Sequence, residues 1–151
     1  MHQIFIIPTS QPILIGIYKD YKLESSHSLP SQLSEALIPF FVKLKTQGIV
    51  PKNLYFVRGP GSFMALKLIY LFTKTMQITQ NSNLFATHGF YFNSNSPIKA
   101  YGNSYFVLEN DEITLKSYPT PPKIKPYILP QRLDKSLFTE TINPLYLLPP
   151  V

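Results

Sequence analysis

The sequence predicts an α/β fold. Short apolar runs typical of buried strands alternate with two longer stretches whose apolar residues recur at helical spacing. Hydrophobic residues make up 44% of the 151 residues and charged residues 15%, which is enough apolar material for a folded core. In chain order the elements are three strands, a helix, a fourth strand, a second helix and a fifth strand. The length suits one compact domain or two very small lobes.

Residues 3–28 predict the first three strands. The run at 4–7 is apolar throughout and suits a strand covered on both faces. Residues 13–18 form the second strand, and Lys19-Asp20 is the predicted two-residue turn. The return strand at 21–28 is more polar, which places it nearer a sheet edge.

The first helix is predicted to follow Pro30, with Ser31 as its N-cap, because a serine hydroxyl can accept from an unpaired amide of the first turn. Pro39 lies inside this helix and is expected to kink it, since proline removes an amide donor. Gly48 is the predicted stop. One apolar stripe follows at helical spacing: Leu33, Leu37, Phe40, Phe41 and Leu44.

The next strand covers residues 54–57, and a tight turn then leads into the second helix. Ser62 is predicted to cap that helix, which runs to about Thr75, and residues 84–87 form the fifth strand. The turn consists of Arg58, Gly59, Pro60, Gly61 and Ser62. The free amides of the helix start could hold an anion, but the favoured interpretation is that the glycines only make the turn compact. The spacing is not that of a P-loop.

Beyond residue 88 the pattern weakens. A hairpin is predicted over residues 104–118 around Asn110-Asp111. Eight of the fifteen prolines fall between Pro119 and Pro150, so this part is predicted to be an extended tail laid over the core. Its predicted anchors are Tyr127, Ile128, Leu129, Leu145, Tyr146 and Leu147.

The second helix is apolar nearly all round. Lys67 is the one polar residue between Phe63 and Phe72, whereas a surface helix normally keeps a polar face. The helix must therefore be covered on several sides, either by a partner protein or by the C-terminal tail. The partner interface is the favoured interpretation.

One segment resembles a known family. Residues 57–67 read Val-Arg-Gly-Pro-Gly-Ser-Phe-Met-Ala-Leu-Lys, similar to the signature Gly-Arg-Gly-Pro-Gly-Ser-Phe-Thr-Gly-Leu-Arg of the TsaB (YeaZ) family. Pro8-Thr9-Ser10 stands where the family has Asp-Thr-Ser, and the chain shares a Leu-Pro pattern in the first helix. Asn-Pro-Leu-Tyr-Leu at 143–147 resembles the family's closing Glu-Pro-Val-Tyr-Leu. The resemblance covers residues 3–88 well and the remainder sparsely.

The resemblance implies an actin-like, sugar-kinase-like fold related to RNase H: a mixed five-stranded sheet with helices at residues 1–90, then a strongly reduced second lobe and proline-rich tail at 91–151. It also implies a non-catalytic role. Family members assist the transferase TsaD, together with TsaE and TsaC, in forming threonylcarbamoyladenosine beside the anticodon of tRNA. The partner-binding residues that it implies are Phe63, Leu66, Lys67 and Tyr70, with Leu37, Phe40 and Phe41 as weaker candidates.

The chain also departs from the family. Pro8 replaces the aspartate that actin-like ATPases place near metal and phosphates, so no cofactor or metal is predicted and ATP binding is disfavoured. Met64-Ala65 replaces Thr-Gly, and the first helix lacks the family's histidine. The second lobe is much shorter than in a typical member.

Enzyme interpretations have little support. No His-Glu-x-x-His or Gly-x-Ser-x-Gly motif occurs, and without cysteine the sequence offers no thiolate chemistry. His88 follows the fifth strand, where a nucleotide pocket could form, but a lone histidine is more often structural. Two alternatives remain open: a basic tRNA-binding module, suggested by the net charge of +6, and a residual ATP-binding protein.

The expected partners are a TsaD-type protein in a heterodimer and a TsaE-type ATPase through the complex, with tRNA contacted indirectly. A homodimer through the same helices is the other arrangement that the sequence leaves open. No secretory signal or membrane span is expected, since the longest apolar stretch is about half of what a span needs, and a cytoplasmic protein is predicted.

Overall fold

The computed structural model describes residues 1–30 and 32–146. Its elements follow the predicted order. They are β1 (His2–Ile7), β2 (Ile13–Lys19), β3 (Lys22–Leu29), α1 (Leu33–Thr46), β4 (Asn53–Val57), α2 (Phe63–Gln80), β5 (Asn83–Thr87), β6 (Ile98–Lys99), β7 (Ser104–Glu109) and β8 (Glu112–Ser117). Single 3-10 turns lie at Gly89–Tyr91 and Lys135–Leu137.

The main sheet is mixed, with five strands in the order β3-β2-β1-β4-β5. β1, β2 and β3 pair antiparallel, whereas β4 pairs parallel to β1 and β5 parallel to β4. The carboxyl ends of β1, β4 and β5 therefore meet at one edge of the sheet, together with the turn that follows each strand. The predicted mixed five-stranded sheet is confirmed.

The two faces of the sheet bury different sets of residues, because successive side chains of a strand point to opposite faces. Ile4 and Ile6 of β1 pack against α1 and α2, which both lie on the same face, while Phe5 and Ile7 point to the other face. The helix face is mainly aliphatic. The opposite face is aromatic, with Phe5, Tyr18, Tyr55, Phe92 and Phe138 among its members.

The aromatic face is covered by the C-terminal segment, defined as residues 119–146. Phe138 packs edge-on against Phe5 and Tyr55, with ring centroids 5.4 Å and 5.0 Å away. The hydroxyl of Tyr18 donates to the carbonyl of Pro130 at 2.7 Å. The segment thus takes the place that a helical layer holds in a three-layer α/β fold.

The same segment pairs with both edges of the sheet. Arg132 bridges to Lys22 at the β3 edge, and Thr139 bridges to Ala86 on β5. Free strand edges invite pairing with other chains, so these bridges protect them.

A second sheet has the order β6-β7-β8. β7 and β8 form the predicted hairpin, and Asn110 and Asp111 both take positive φ values, 52° and 61°, as a two-residue turn of this kind requires.

Several sequence-based boundaries need correction. The β2–β3 turn is formed by Asp20 and Tyr21, not by Lys19 and Asp20, since the two residues with positive φ are 20 and 21. Gln32 is the N-cap residue of α1 and makes no side-chain cap bond, while the predicted cap Ser31 lies outside the described residues.

Helix α2 ends at Gln80, five residues beyond the predicted end at Thr75. Threonine hydroxyls at 73, 75 and 79 donate to the carbonyl four residues earlier, so these β-branched residues are accommodated within the helix. Asn81, in the left-handed conformation, ends it.

The anchors of the C-terminal segment were only partly predicted. Leu129 is buried, but the Ile128 side chain is 64% exposed, because neighbouring residues of an extended chain face opposite ways. Ile128 holds the segment through its backbone amide, which donates to the Phe92 carbonyl at 2.8 Å. Leu133 and Phe138 are the anchors that the sequence analysis missed. Leu147 lies outside the described residues.

Candidate functional site

The outer surface of α1 and α2 carries an apolar groove with a volume of about 490 Å³. We call it the α1–α2 groove. It is lined by Leu37, Ile38, Phe41, Val42 and Lys45 of α1, by Leu68, Leu71, Phe72, Thr75, Met76 and Gln80 of α2, and by Ile49, Val50 and Pro51 after α1. Most of these side chains are apolar, so water wets the groove poorly.

Helix α2 adds an exposed apolar stripe that shares Leu71 with the groove and extends beyond it in both directions. Met64, Leu71 and Ile78, spaced by seven residues, are 58%, 50% and 80% exposed. A seven-residue repeat keeps side chains on one side of a helix, the arrangement by which helices pack against one another. On α1, Ile38 and Val42 stand one turn apart and are exposed as well. The two helices thus present a surface of the kind that other helices cover.

The structure separates the predicted partner-binding residues into two groups. Phe63 and Lys67 are exposed, while Phe40 and Tyr70 are half-buried. Leu37, Phe41 and Leu66 are buried in the molecule itself, with Leu66 only 1% exposed. This second group supports the surface from below; Leu37 and Phe41 also form part of the groove floor.

The sequence analysis missed Ile38, Val42 and Leu71, which are exposed and line the groove. The spacing of the apolar residues in α1 could have identified Ile38 and Val42. Leu37, Phe41 and Leu44 already make a complete inward stripe, so the apolar residues one position further, Ile38 and Val42, had to point outward.

The C-terminal segment contacts the start of α2, and its Ile142 adds to the core beneath the helices. Tyr146 lies against Phe63 with ring centroids 4.8 Å apart, and Leu145 approaches Gly59 and donates its backbone amide to the Arg58 carbonyl at 2.9 Å. The described part of the segment therefore leaves Leu71 and the groove open. The sequence analysis offered a partner protein or the C-terminal tail as the cover of α2, and the described part of the tail covers only a small part of the helix.

The charged residues of the two helices are mostly lysines. α1 contributes Glu35, Lys43 and Lys45, and α2 contributes Lys67 and Lys74. Lys45 lines the groove, whereas Glu35 lies at the first turn of α1, away from it. The surroundings of the groove are therefore basic.

The β4–α2 turn joins the edge where the parallel strands end to the start of α2. Gly59 has φ +130°, a conformation that other residues rarely adopt, and a Cβ there would meet Leu145 and Leu66 at 3.0 Å. Ser62 caps the helix, since its side chain accepts from the Ala65 amide at 3.5 Å. Arg58 donates from its Nη1 to the carbonyl of Asn143 at 2.9 Å.

Within residues 1–30 and 32–146, no group of three or more His, Asp or Glu side chains is placed to hold a metal ion. Over the same residues, no helix combines the length and apolar character needed to cross a membrane.

The strand order β3-β2-β1-β4-β5, with three antiparallel strands, two parallel ones and both helices on one face, defines an actin-like lobe. The fold is similar to that of YeaZ from Pseudomonas aeruginosa, with a TM-score of 0.58 and 12% identity over 83% of this chain and 67% of that one.

A second solved structure is described as an uncharacterized protein with similarity to peptidase YeaZ from Pseudomonas aeruginosa. It matches with a TM-score of 0.55 and 12% identity over 78% of this chain and 64% of that chain. The chain thus spans about two thirds of the length of these proteins. Comparison of the sequence with protein-family models and with curated proteins gave no match.

Proposed function

We propose that this chain is a non-catalytic partner subunit of a TsaD-type threonylcarbamoyl transferase, acting in the formation of threonylcarbamoyladenosine at the anticodon-adjacent adenosine of tRNA. The fold likeness to YeaZ and the motif at residues 57–67 support the choice of pathway. The observation that carries the proposal is the open α1–α2 groove with its exposed apolar stripe.

In this proposal the partner covers the α1–α2 groove. Phe63, Lys67, Tyr70 and Phe40 contact it, as the resemblance implies, and Ile38, Val42 and Leu71 join them. Leu37, Phe41 and Leu66 act indirectly, because they are buried and fix the positions of the helices. Exposed large apolar side chains clustered on two adjacent helices are typical of a protein–protein interface.

Charge favours a different chain over a second copy. A two-fold homodimer through this surface would bring the same patch of each copy together, including Lys45 and Lys67. Like charges that face each other across an interface are unfavourable. A partner whose apolar ridge is flanked by Asp and Glu would instead be complementary, so a heterodimer is the proposed state.

The remaining parts of the proposal follow from this role. The chain is cytoplasmic, tRNA is bound mainly by the complex, and a TsaE-type ATPase joins through the partner. Residues 1–90 form the lobe that binds the partner, while residues 91–151 are a reduced second lobe whose hairpin and C-terminal segment complete the first.

The test is size-exclusion chromatography with light scattering, on the chain alone and mixed with the TsaD-type protein of the same organism. We expect one mixed peak with the mass of a heterodimer. Leu71→Glu and Ile38→Glu should each remove that peak, because complex formation would bury an unpaired carboxylate. Both residues are exposed in the free chain, so the variants should fold normally.

Leu115→Glu is the matched control, since Leu115 is an exposed leucine on β8 in the other sheet. It should leave the complex intact. Two separate peaks for the wild-type mixture, or complexes that survive both groove variants in folded form, would contradict the proposed function.

A further inference from the structure

Arg58 carries a charge with no acidic partner among the described residues. The ion pairs there are Met1 with Asp20 and His2 with Glu24. Arg58 is half-buried, and burial lowers its pKa, yet within residues 1–30 and 32–146 its guanidinium makes one hydrogen bond, from Nη1 to the Asn143 carbonyl. A guanidinium has five N–H donors in a planar fork that fits carboxylate and phosphate, so the described residues use little of its capacity.

His88 lies beside Arg58 at the carboxyl edge of the sheet. Val57 and Thr87 are paired in the parallel ladder, and both chains continue in register, with the Arg58 amide donating to the Thr87 carbonyl at 2.9 Å. The Nδ1 atom of His88 accepts from the Phe90 amide at 3.2 Å. In the neutral ring the proton must then be on Nε2, which makes Nε2 a second donor at this edge of the sheet.

Tyr91 supplies an aromatic surface at the same place. Its ring stacks on His88 with centroids 4.3 Å apart and planes at 26°, and the residue is 51% exposed. Unpaired purine and pyrimidine rings stack on tyrosine faces that are open in this way. A cationic fork, an imidazole N–H and an exposed ring therefore stand together where three β-strands end.

Two buried hydroxyls belong to the same edge. Thr9 Oγ1 follows β1, and the Tyr127 hydroxyl lies against Gly89. Burial raises the pKa of Tyr127 and Thr9 lowers it in part, so the two hydroxyls lie close to each other, and neither bonds to any other described residue. Beyond this mutual contact, the edge offers hydrogen-bonding capacity that the described residues do not use. In open α/β sheets, ligands bind outside the carboxyl ends of the strands.

We propose that Arg58, His88 and Tyr91 form a site for a nucleotide unit, in which Arg58 and His88 bind the phosphate and Tyr91 stacks on the base. The nucleotide is either free or part of an RNA strand. The site needs no metal ion, and it lies on the strand edge, away from the α1–α2 groove.

Asp111 at the β7–β8 turn adds a negative charge that opposes anion binding at this site. The pKa of His88 is lowered by burial and then by the charge of Arg58, while a backbone hydrogen bond and then the charge of Asp111 act in the opposite direction. A carboxylate that stabilises the charged imidazole repels an anion, so Asp111 should weaken phosphate binding beside His88. The two charged neighbours predict opposite effects of two single substitutions.

Isothermal titration calorimetry of the full chain with AMP tests the site. Arg58→Gln should raise the Kd for AMP about 10-fold to 100-fold, because a charged hydrogen-bond donor is lost. Asp111→Asn should lower it about two- to fivefold. Tyr91→Ala should raise it about fivefold or more while leaving the Kd for inorganic phosphate unchanged, since only the base is stacked.

Tyr101→Ala is the matched control, because Tyr101 is an exposed tyrosine at the β6–β7 turn, the opposite end of β7 from Asp111. It should change neither Kd. If Arg58→Gln lowers stability, Arg58→Lys provides a folded comparison that keeps the charge but loses the planar fork. By NMR, AMP should raise the pKa of His88, since a nearby anion favours the charged ring.

A short oligoribonucleotide distinguishes the two sources of the nucleotide. Binding at least tenfold tighter than AMP, with a steep salt dependence, identifies RNA as the source, whereas equal affinity identifies a free nucleotide. The proposal is wrong if neither probe binds at millimolar concentration, or if Arg58→Gln and Tyr91→Ala bind AMP as the wild type does. None of these variants should affect the complex with the TsaD-type protein, so the two proposals fail independently.

Discussion

At the scale of single residues, Gly61 illustrates how a small side chain is required by a close contact. A Cβ at Gly61 would come within 2.5 Å of the Thr9 Cγ2 atom, a distance that real Cβ atoms do not show. The Gly61 backbone is not in the left-handed region, so lack of space, and not φ, excludes a side chain. Thr9 is β-branched and cannot easily rotate away.

Gly61→Ala should therefore destabilise the protein by about 1–3 kcal/mol, the usual effect of overpacking. Removing the obstructing methyl group with Thr9→Ser should restore most of that loss in the double variant. Urea denaturation of the two single variants and the double variant measures the coupling. Additive effects of the two substitutions would show that the contact is not the cause.

Residue types were predicted better than residue surroundings. The cap at Ser62 follows from a serine at the start of an apolar helix, and the structure confirms it. Leu66 and Leu71 are the same residue type on the same helix, yet one is 1% and the other 50% exposed. The sequence shows that both leucines are apolar, but the position of the helix on the sheet decides which of them is buried.

At the scale of elements, the strands and helices were predictable because each is encoded locally. β1, β2 and β4 are apolar runs, and α1 shows a single inward stripe followed by Gly48 with φ +79°. The end of α2 was not predictable from propensity. Its threonines are weak helix formers in isolation, but their hydroxyls bond back to the helix backbone.

The C-terminal segment behaves as a structural layer, and Phe138 is its main contact with the sheet. Phe138→Ala should lower the free energy of unfolding by about 3 kcal/mol or more, because it removes a buried ring that packs against Phe5 and Tyr55. Denaturant unfolding followed by circular dichroism measures this.

Ile128→Ala serves as the control for the same segment. Ile128 is 64% exposed, so its loss should change stability by less than about 0.5 kcal/mol. Equal effects of the two substitutions would mean that Phe138 is not the residue through which the segment stabilises the sheet.

At the scale of the whole molecule, the path of the C-terminal segment across the sheet could not be predicted from the sequence. Prolines predict an extended chain, but not that residues 132 and 139 pair with opposite edges of one sheet. Those contacts join residues 110 and 53 positions apart in the sequence, and no local pattern records such pairings. The actin-like fold itself was reached through the motif at residues 57–67 together with the element order.

The basic surroundings of the α1–α2 groove predict how the proposed complex responds to salt. Association with the TsaD-type partner should slow about tenfold between about 0.05 M and 0.5 M ionic strength, because attraction between exposed charges is screened. The double variant Lys45→Glu, Lys67→Glu should associate slowly even at low salt. Surface plasmon resonance gives both rates, and an association rate indifferent to salt and to charge reversal would exclude an acidic partner surface.

Because the aromatic face is covered by residues so late in the chain, synthesis on the ribosome has a consequence for this protein. Fifty-one positions separate Thr87, the end of β5, from Phe138. At about 5–20 residues per second, roughly 3–10 s pass between their appearance. Throughout that interval the nascent chain holds a nearly complete sheet whose aromatic side is bare, a substrate for chaperones that bind apolar surface.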